Sequence, residues 1–288
     1  MVSLATHFTS FVFLLPLGIR RLFCSSSLYL KNPAVFRSRI WYFSEPKWKN
    51  IDFYALLIVL PLASFSLVFL FLAFSVHPTY GFTLLNQSLV IFLFWVLMIL
   101  IIAKESFDLY SIPESFLFMY AGIAFYIEFL MNGNGIVGLG GDLYGVLGVL
   151  ALICVACCMF LAIRPTAFLG EFLLSSVLIL KGTWVLQVGL SLYTDTIGFK
   201  GCEKITEDVI KGNADVKCPL EDDILRGVAL MNLLFVGHVI LVMILSFLLF
   251  GVANWNRNSR SGETNGPLLA EIRPESGVMH QLSEFELE

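Results

Sequence analysis

Several side chains that can carry a charge, a proton or a hydrogen bond lie in otherwise apolar stretches of this sequence, and five of them are candidates for one shared site. They are His7, Glu128, Lys181, Gln187 and His238. A charged side chain inside a hydrocarbon layer costs about 3 kcal/mol and is by default a candidate functional residue. Glu128 and Lys181 fall at similar depth along their stretches, so pairing them removes most of the cost of either charge. We predict that the five residues line a polar cavity open to one side of a membrane. The alternative is that each charge snorkels or ties two helices together.

A stripe of small residues accompanies Lys181. Glu171, Ser175, Gly182 and Gly189 fall within about 40° of one another on a helix with 3.6 residues per turn. Small residues allow two helices to approach closely in a membrane. The stripe therefore predicts a helix-packing face that also carries one carboxylate.

Catalysis is a second interpretation of the same side chains. Histidines and carboxylates together can bind zinc and activate water. However, His7 and His238 stand singly, with no HxxxH or HExxH spacing, and no nucleophile motif is present. The pattern favours a non-enzymatic protein without metal or cofactor, and a zinc-dependent lipid hydrolase is the alternative.

The composition indicates that a bilayer surrounds most of the chain. Of 288 residues, 58% are apolar and only 14% are charged, whereas a soluble domain carries about 25% charge. The mean hydropathy is +0.83. These values exclude a soluble enzyme, a coiled coil and a disordered chain. The net charge of −4 leaves no overall basic surface, so we expect no nucleic-acid partner.

Seven apolar runs are long enough to cross a bilayer, which takes about 20 residues of helix. Membrane β-strands would instead alternate over about 10 residues, so we predict an all-α bundle of seven transmembrane helices. The basic pair Arg20-Arg21 follows the first run rather than preceding it, which favours an uncleaved helix over a secretory signal. The predicted spans are 4–19, 53–76, 82–103, 115–131, 143–163, 167–192 and 228–252.

The distribution of cations predicts the orientation. The linker 20–49 carries seven of the 18 Lys and Arg residues, and positive loops stay cytosolic. The N-terminus is then exoplasmic, in an endomembrane or the plasma membrane, and the loop 194–226 is on the outer side. The polar tail 253–288 is predicted to be cytosolic and disordered. The aromatic residues and cations of the linker suit anionic lipid headgroups, although they also suffice to set the topology alone.

Two cysteines share the predicted outer loop. Cys202 and Cys218 would lie in an oxidising compartment, so we expect a disulfide between them. The alternative is two free thiols. A zinc site is less favoured, because no second cysteine pair or histidine lies nearby.

One segment carries a family resemblance. Residues 178–189 read LILKGTWVLQVG and follow Glu171, and His7, Glu128 and His238 stand at matching places. This pattern resembles the transmembrane protein 45 family, also called domain of unknown function 716. Residues 5–7 (ATH) and 41–48 (WYFSEPKW) resemble its plant branch, whose members are sometimes labelled viral-response proteins. The resemblance implies a multi-pass membrane protein without established enzyme activity. Animal members have Gln where this chain has Lys181, so the ionic pair is not implied by the family.

These observations favour a membrane protein that binds or transports a small polar or amphiphilic ligand in an outer-half cavity. A structural or trafficking component, which would act through the linker 20–49 and the tail 253–288, is the alternative. The lipid bilayer is the expected surrounding in either case.

Overall fold

The computed structural model describes residues 4–73, 78–106, 112–132, 139–194, 201–205 and 215–264. Its strands β1 (Glu203–Ile205) and β2 (Asp215–Lys217) form an antiparallel hairpin, and a short 3₁₀ helix occupies Lys47–Asn50. The α-helices are α1 (Leu4–Lys31), α2 (Ile51–Ala73), α3 (Pro78–Ser106), α4 (Glu114–Met131), α5 (Leu139–Ile163), α6 (Phe168–Tyr193) and α7 (Glu221–Thr264).

All seven of these helices are long and apolar enough to cross a membrane. The prediction of an all-helical, seven-span fold is therefore confirmed. The helices α1, α3 and α7 run beyond their predicted spans, because polar turns can continue a helix past the hydrocarbon layer. Helix α7 extends into the predicted tail as far as Thr264. Residues 195–200 and 206–214 of the predicted outer loop, and 265–288 of the tail, lie outside the described residues.

Helix α6 runs antiparallel to α1, with Gly18 beside Ile179 and Gly189 beside His7, and also to α7, with Trp184 beside Phe235 and Phe172 beside Phe247. The bundle therefore has two distinct ends. Residues 32–50 connect α1 to α2 at one end, and we call this the linker end. The β1–β2 hairpin lies at the start of α7, and we call this the hairpin end. Helix α7 begins with Glu221, Asp222 and Asp223, whose charges favour a helix N-terminus.

Helix α6 is the central helix of the bundle. Within its apolar span 72% of the residues are buried, compared with 11% for α2 and for α7. It packs against α1, α5 and α7. Polar side chains on α6 therefore face protein rather than lipid, which is the only placement at mid-depth that lets them find partners.

Glycines bring α1 and α6 into close contact. A Cβ built on Gly18 would lie 2.8 Å from the backbone nitrogen of Ile179, and one built on Gly182 would lie 2.9 Å from that of Leu15. At Gly189 the added carbon would lie 2.7 Å from the Cβ of His7. Any side chain at these positions would push the helices apart.

The stripe of small residues predicted on α6 lies along this contact. Gly182 and Gly189 face α1 directly. The Ser175 hydroxyl turns back to its own helix and donates to the carbonyl oxygen of Glu171 at 2.8 Å. The carboxylate of Glu171 also reaches α1, as described below.

An indole group compensates for the proline in α2. Pro61 has no N–H, so the carbonyl oxygen of Leu57 loses its helical donor. The indole N–H of Trp95 on α3 donates to that oxygen at 3.1 Å. The bond joins α2 to α3 and satisfies a backbone group that water would not reach in lipid.

Replacing Trp95 with Phe should lower the free energy of unfolding by about 1 kcal/mol, since one hydrogen bond is lost. In a Pro61→Ala background, the restored N–H of residue 61 can donate to the Leu57 carbonyl oxygen. Replacing Trp95 with Phe should then lower the free energy of unfolding by clearly less. Unfolding by sodium dodecyl sulfate in mixed micelles measures both costs. Equal costs in the two backgrounds would contradict the role assigned to Trp95.

Candidate functional site

Two cavities meet inside the bundle. The first, which we call the apolar chamber, has a volume of about 320 Å³ and is lined mainly by α1, α2, α3, α4 and α6. Phe13, Leu60, Phe94 and Leu178 are typical of its walls. The linker residues Ile40 and Trp41 also line it, beside Arg21. The chamber therefore ends at the linker end of the bundle.

The second cavity, which we call the polar vestibule, lies toward the hairpin end and has a volume of about 230 Å³. The two cavities adjoin at the level of Lys181, because five residues line both of them: Ser10, Val90, Ile91, Glu128 and Lys181. The polar side chains that line the vestibule are Thr6, His7, Ser10, Gln87, Glu128, Asn132, Tyr144 and Lys181.

An ion pair stands at the junction of the two cavities. The Lys181 Nζ atom lies 2.5 Å from the Glu128 Oε2 atom. The Lys181 side chain is only 4% exposed and that of Glu128 is 21% exposed. The ammonium also lies 4.9 Å from the centre of the Phe125 ring, a favourable cation–π distance. Each charge thus has an opposite partner, as burial requires.

His7 enters the vestibule from the first turns of α1. It is buried, and its Nε2 atom lies 3.1 Å from the Tyr144 hydroxyl on α5. The rings of His7 and Tyr193 have centroids 5.6 Å apart. Gly189 on α6 provides the space that the imidazole occupies. His7, Glu128 and Lys181 therefore come together in one cavity.

Two predicted cavity residues lie elsewhere. His238 is half-buried on α7 and packs edge-on against Trp184, with ring centroids 5.9 Å apart. It lines neither cavity, because α7 packs on the outside of α6. Gln187 likewise lines neither cavity. It stands about 120° around α6 from Lys181, so it points to a different face. Of the five predicted cavity residues, His7, Glu128 and Lys181 line the vestibule.

A second ion pair is buried near the linker end. The Arg21 Nε atom lies 2.7 Å from the Glu171 Oε1 atom, and the Glu171 side chain is fully buried. Arg21 also donates from Nη1 to the Ile40 carbonyl oxygen at 2.8 Å and from Nη2 to that of Arg39 at 3.1 Å. The Ser38 hydroxyl donates to the same carboxylate. Helices α1 and α6 and the linker are joined in one network.

Further bonds fasten the linker across this end of the chamber. The Ile40 N–H donates to the Glu114 carboxylate at 2.9 Å, and the Ser38 N–H donates to the Pro165 carbonyl oxygen at 2.7 Å. Burial raises the pKa of the Tyr42 hydroxyl, and the nearby Glu171 carboxylate raises it further. Tyr42 is consequently neutral at physiological pH. The buried linker residues Ser38 and 40–42 are thus held in place by hydrogen bonds and close this end of the chamber.

The hairpin end carries a disulfide. Cys202 and Cys218 are joined, with a Cα–Cα distance of 4.2 Å, and flank the paired strands β1 and β2. Gly201 has a φ of 87°, a conformation that favours glycine. Val216 is buried, and β2 contacts α5. The hairpin is therefore anchored on the bundle.

Three site residues escaped the sequence analysis. The sequence indicates Arg21 only as a topology-setting cation, and it indicates Ser38 and Trp41 only as parts of a linker. The single available signal was that Glu171 had no evident partner within the apolar stretches. Its partner lies 150 residues earlier in the chain, beyond the reach of any local pattern.

Residues 114–251 match the model of a family described as "Family of unknown function (DUF716)". The match covers α4, α5 and α6 and most of α7, and it includes Glu128, Glu171 and Lys181. It supports the resemblance to domain of unknown function 716. No curated protein matches the chain.

Proposed function

We propose that this multi-pass membrane protein binds an amphiphilic ligand, whose polar head occupies the polar vestibule and whose apolar part occupies the apolar chamber. The observation that carries the proposal is that an almost wholly apolar cavity adjoins, at the Lys181–Glu128 pair, a second cavity that several polar side chains line. An apolar pocket with a few convergent polar groups is the usual form of a small-molecule site.

The described residues do not favour the zinc-hydrolase alternative. Among them, no group of three or more His, Cys, Asp or Glu side chains is arranged to hold a metal ion. In the vestibule His7 contacts Tyr144, and Glu128 contacts Lys181. These contacts suit recognition of a polar head rather than activation of water.

We further propose that the chain belongs to the plant branch of the transmembrane protein 45 family. We also propose that its linker end faces the cytosol. The cations Lys31, Arg37, Arg39 and Lys49 are exposed at that end, as the positive-inside rule requires. They would also attract anionic lipid headgroups, at about 1 kcal/mol per cation. The hairpin end, with its disulfide, would then be exoplasmic.

Blocking the junction of the cavities should abolish ligand binding. Ser10 lines both cavities and is itself exposed, so Ser10→Trp fills the junction without displacing a packed core residue. We expect the full-length protein in phosphatidylcholine nanodiscs to bind at least one radiolabelled lauroyl or dodecyl amphiphile saturably. The probes are monolauroylglycerol, laurate and dodecylammonium. The Ser10→Trp variant should lose this binding by about tenfold or more.

Val12→Trp is the matched control on the same helix. Val12 is 44% exposed and lines neither cavity, so this variant should bind as the unmodified protein does. Saturable binding of none of the three probes, or equal loss in both variants, would refute the proposed function.

A further inference from the structure

The walls of the apolar chamber restrict the shape of its occupant. Along α1 the chamber runs from Thr9 to Arg21, which is about 18 Å at 1.5 Å per residue. Its volume of about 320 Å³ is near the lower limit of the range for small-molecule pockets, roughly 300–1,000 Å³. A space this long and this small admits one hydrocarbon chain but not the two chains of a phospholipid.

At the linker end of the chamber, the described residues offer no unpaired charge to a ligand. Arg21 lines it, but its guanidinium is committed to Glu171 and to the carbonyl oxygens of Arg39 and Ile40. Ile40 and Trp41 complete that end with apolar surface. The hydrocarbon terminus of a ligand fits here, so its head must lie at the opposite end, beside Lys181.

The charges at the head position cancel. Glu128 and Lys181 neutralise each other at 2.5 Å. An anionic head would have to draw Lys181 away from Glu128 and leave a carboxylate without its counter-ion. A cationic head would have to draw Glu128 away from Lys181 and leave the ammonium without its counter-ion. Removing one partner of a largely buried ion pair is strongly unfavourable, whereas an uncharged head leaves the pair intact.

Uncharged hydrogen-bonding groups surround this neutral pair. Hydroxyl and amide side chains line the vestibule at Thr6, Ser10, Gln87, Asn132 and Tyr144. Among the described residues, the Asn132 Nδ2 atom is buried and has no hydrogen-bond partner. A buried donor without an acceptor is costly, and a hydroxyl or ester oxygen of a ligand would satisfy it.

We infer, on the basis of the function proposed above, that the ligand is a single-chain lipid with an uncharged, hydroxyl-bearing head, such as a monoacylglycerol or a long-chain alcohol. The chain lies in the apolar chamber, and the hydroxyl groups lie among the amides and hydroxyls of the vestibule. Lys181 and Glu128 act as a charge filter: together they admit a neutral head and disfavour a charged one.

The test compares heads on equal chains. In phosphatidylcholine nanodiscs, at a pH at which laurate is ionised, we expect monolauroylglycerol to bind at least about tenfold more tightly than laurate or dodecylammonium. Tenfold corresponds to about 1.4 kcal/mol. If laurate or dodecylammonium binds as tightly as monolauroylglycerol, the inference fails while the proposed function stands. If none of the three binds saturably, both fail.

Single substitutions should convert the filter into a charge-selective site. Glu128→Gln leaves Lys181 unpaired, so the ratio of laurate to monolauroylglycerol affinity should rise by about tenfold or more. Lys181→Gln should raise the corresponding ratio for dodecylammonium. Asp142→Asn, an exposed carboxylate at the start of α5, is the matched control and should leave both ratios unchanged.

Folding is checked separately from selectivity. The double variant Glu128→Gln, Lys181→Gln has no net charge at this position, so it should still bind monolauroylglycerol and should lack the raised laurate ratio of Glu128→Gln. If a single variant does not fold, two other results test the inference: binding by this double variant, and the comparison of the three heads on the unmodified protein. Unchanged ratios in a folded Glu128→Gln protein would overturn the inference.

Discussion

Replacing Arg21 with Met should lower the free energy of unfolding by about 3–5 kcal/mol, the cost of removing one partner from a buried ion pair. Glu171 is fully buried, so without Arg21 its carboxylate keeps, among the described residues, only the Ser38 hydroxyl as a side-chain donor. The carbonyl oxygens of Arg39 and Ile40 lose their donors as well. Unfolding by sodium dodecyl sulfate in mixed micelles measures the change.

Two further variants separate the ion pair from simple loss of an arginine. The double variant Arg21→Met, Glu171→Gln should recover a substantial part of the loss, because the lone buried charge is gone. Arg39→Met removes an exposed arginine in the same linker, and its effect should stay within about 0.5 kcal/mol. A double variant no more stable than Arg21→Met would show that the carboxylate is not what the arginine compensates.

The second large effect is expected at the contact of α1 with α6. Gly18→Leu places a side chain where even a Cβ would lie 2.7 Å from the Ile179 Cγ1 atom and 2.8 Å from its backbone nitrogen. Backbone cannot yield as a side-chain tip can, so we expect destabilisation of about 3 kcal/mol, the upper part of the range for overpacking. Gly18→Ala should cost less but remain destabilising.

Gly237 on α7 is the matched control. Outside the neighbouring backbone of α7, no atom of the described residues lies within 4 Å of a Cβ built there, so Gly237→Ala should be neutral or stabilise the helix by up to about 1 kcal/mol. The same unfolding measurement serves both positions. Equal destabilisation at Gly18 and Gly237 would show that glycine matters here for reasons other than close packing.

Whether a structural feature can be predicted from the sequence depends on the interaction that determines it. The seven helices could be predicted because apolar length alone decides whether a segment can cross a bilayer. Depth along a span is also countable, and the structure places Glu128 and Lys181, which were predicted to lie at similar depth, 2.5 Å apart. The stripe of small residues depends on helical periodicity, which is equally visible in sequence.

Rotation about a helix axis was much harder to predict. A helix that is apolar on every side gives no indication of which face is buried, and α7 is such a helix. His238 was therefore expected in the cavity, although it packs against Trp184 on the outside of α6. The linker was missed for another reason: its order depends on Glu114 and Glu171, which belong to helices far away in the chain.

The pairing of α1 with α6 has a consequence for biosynthesis. Helix α1 is synthesised before α6, yet its glycine contacts and the counter-ion of Arg21 are on α6. The helices that precede α6 therefore remain incompletely packed in the membrane until residues 168–193 have been inserted. A nascent chain that stops after α5 leaves the Arg21 guanidinium without the carboxylate that neutralises it.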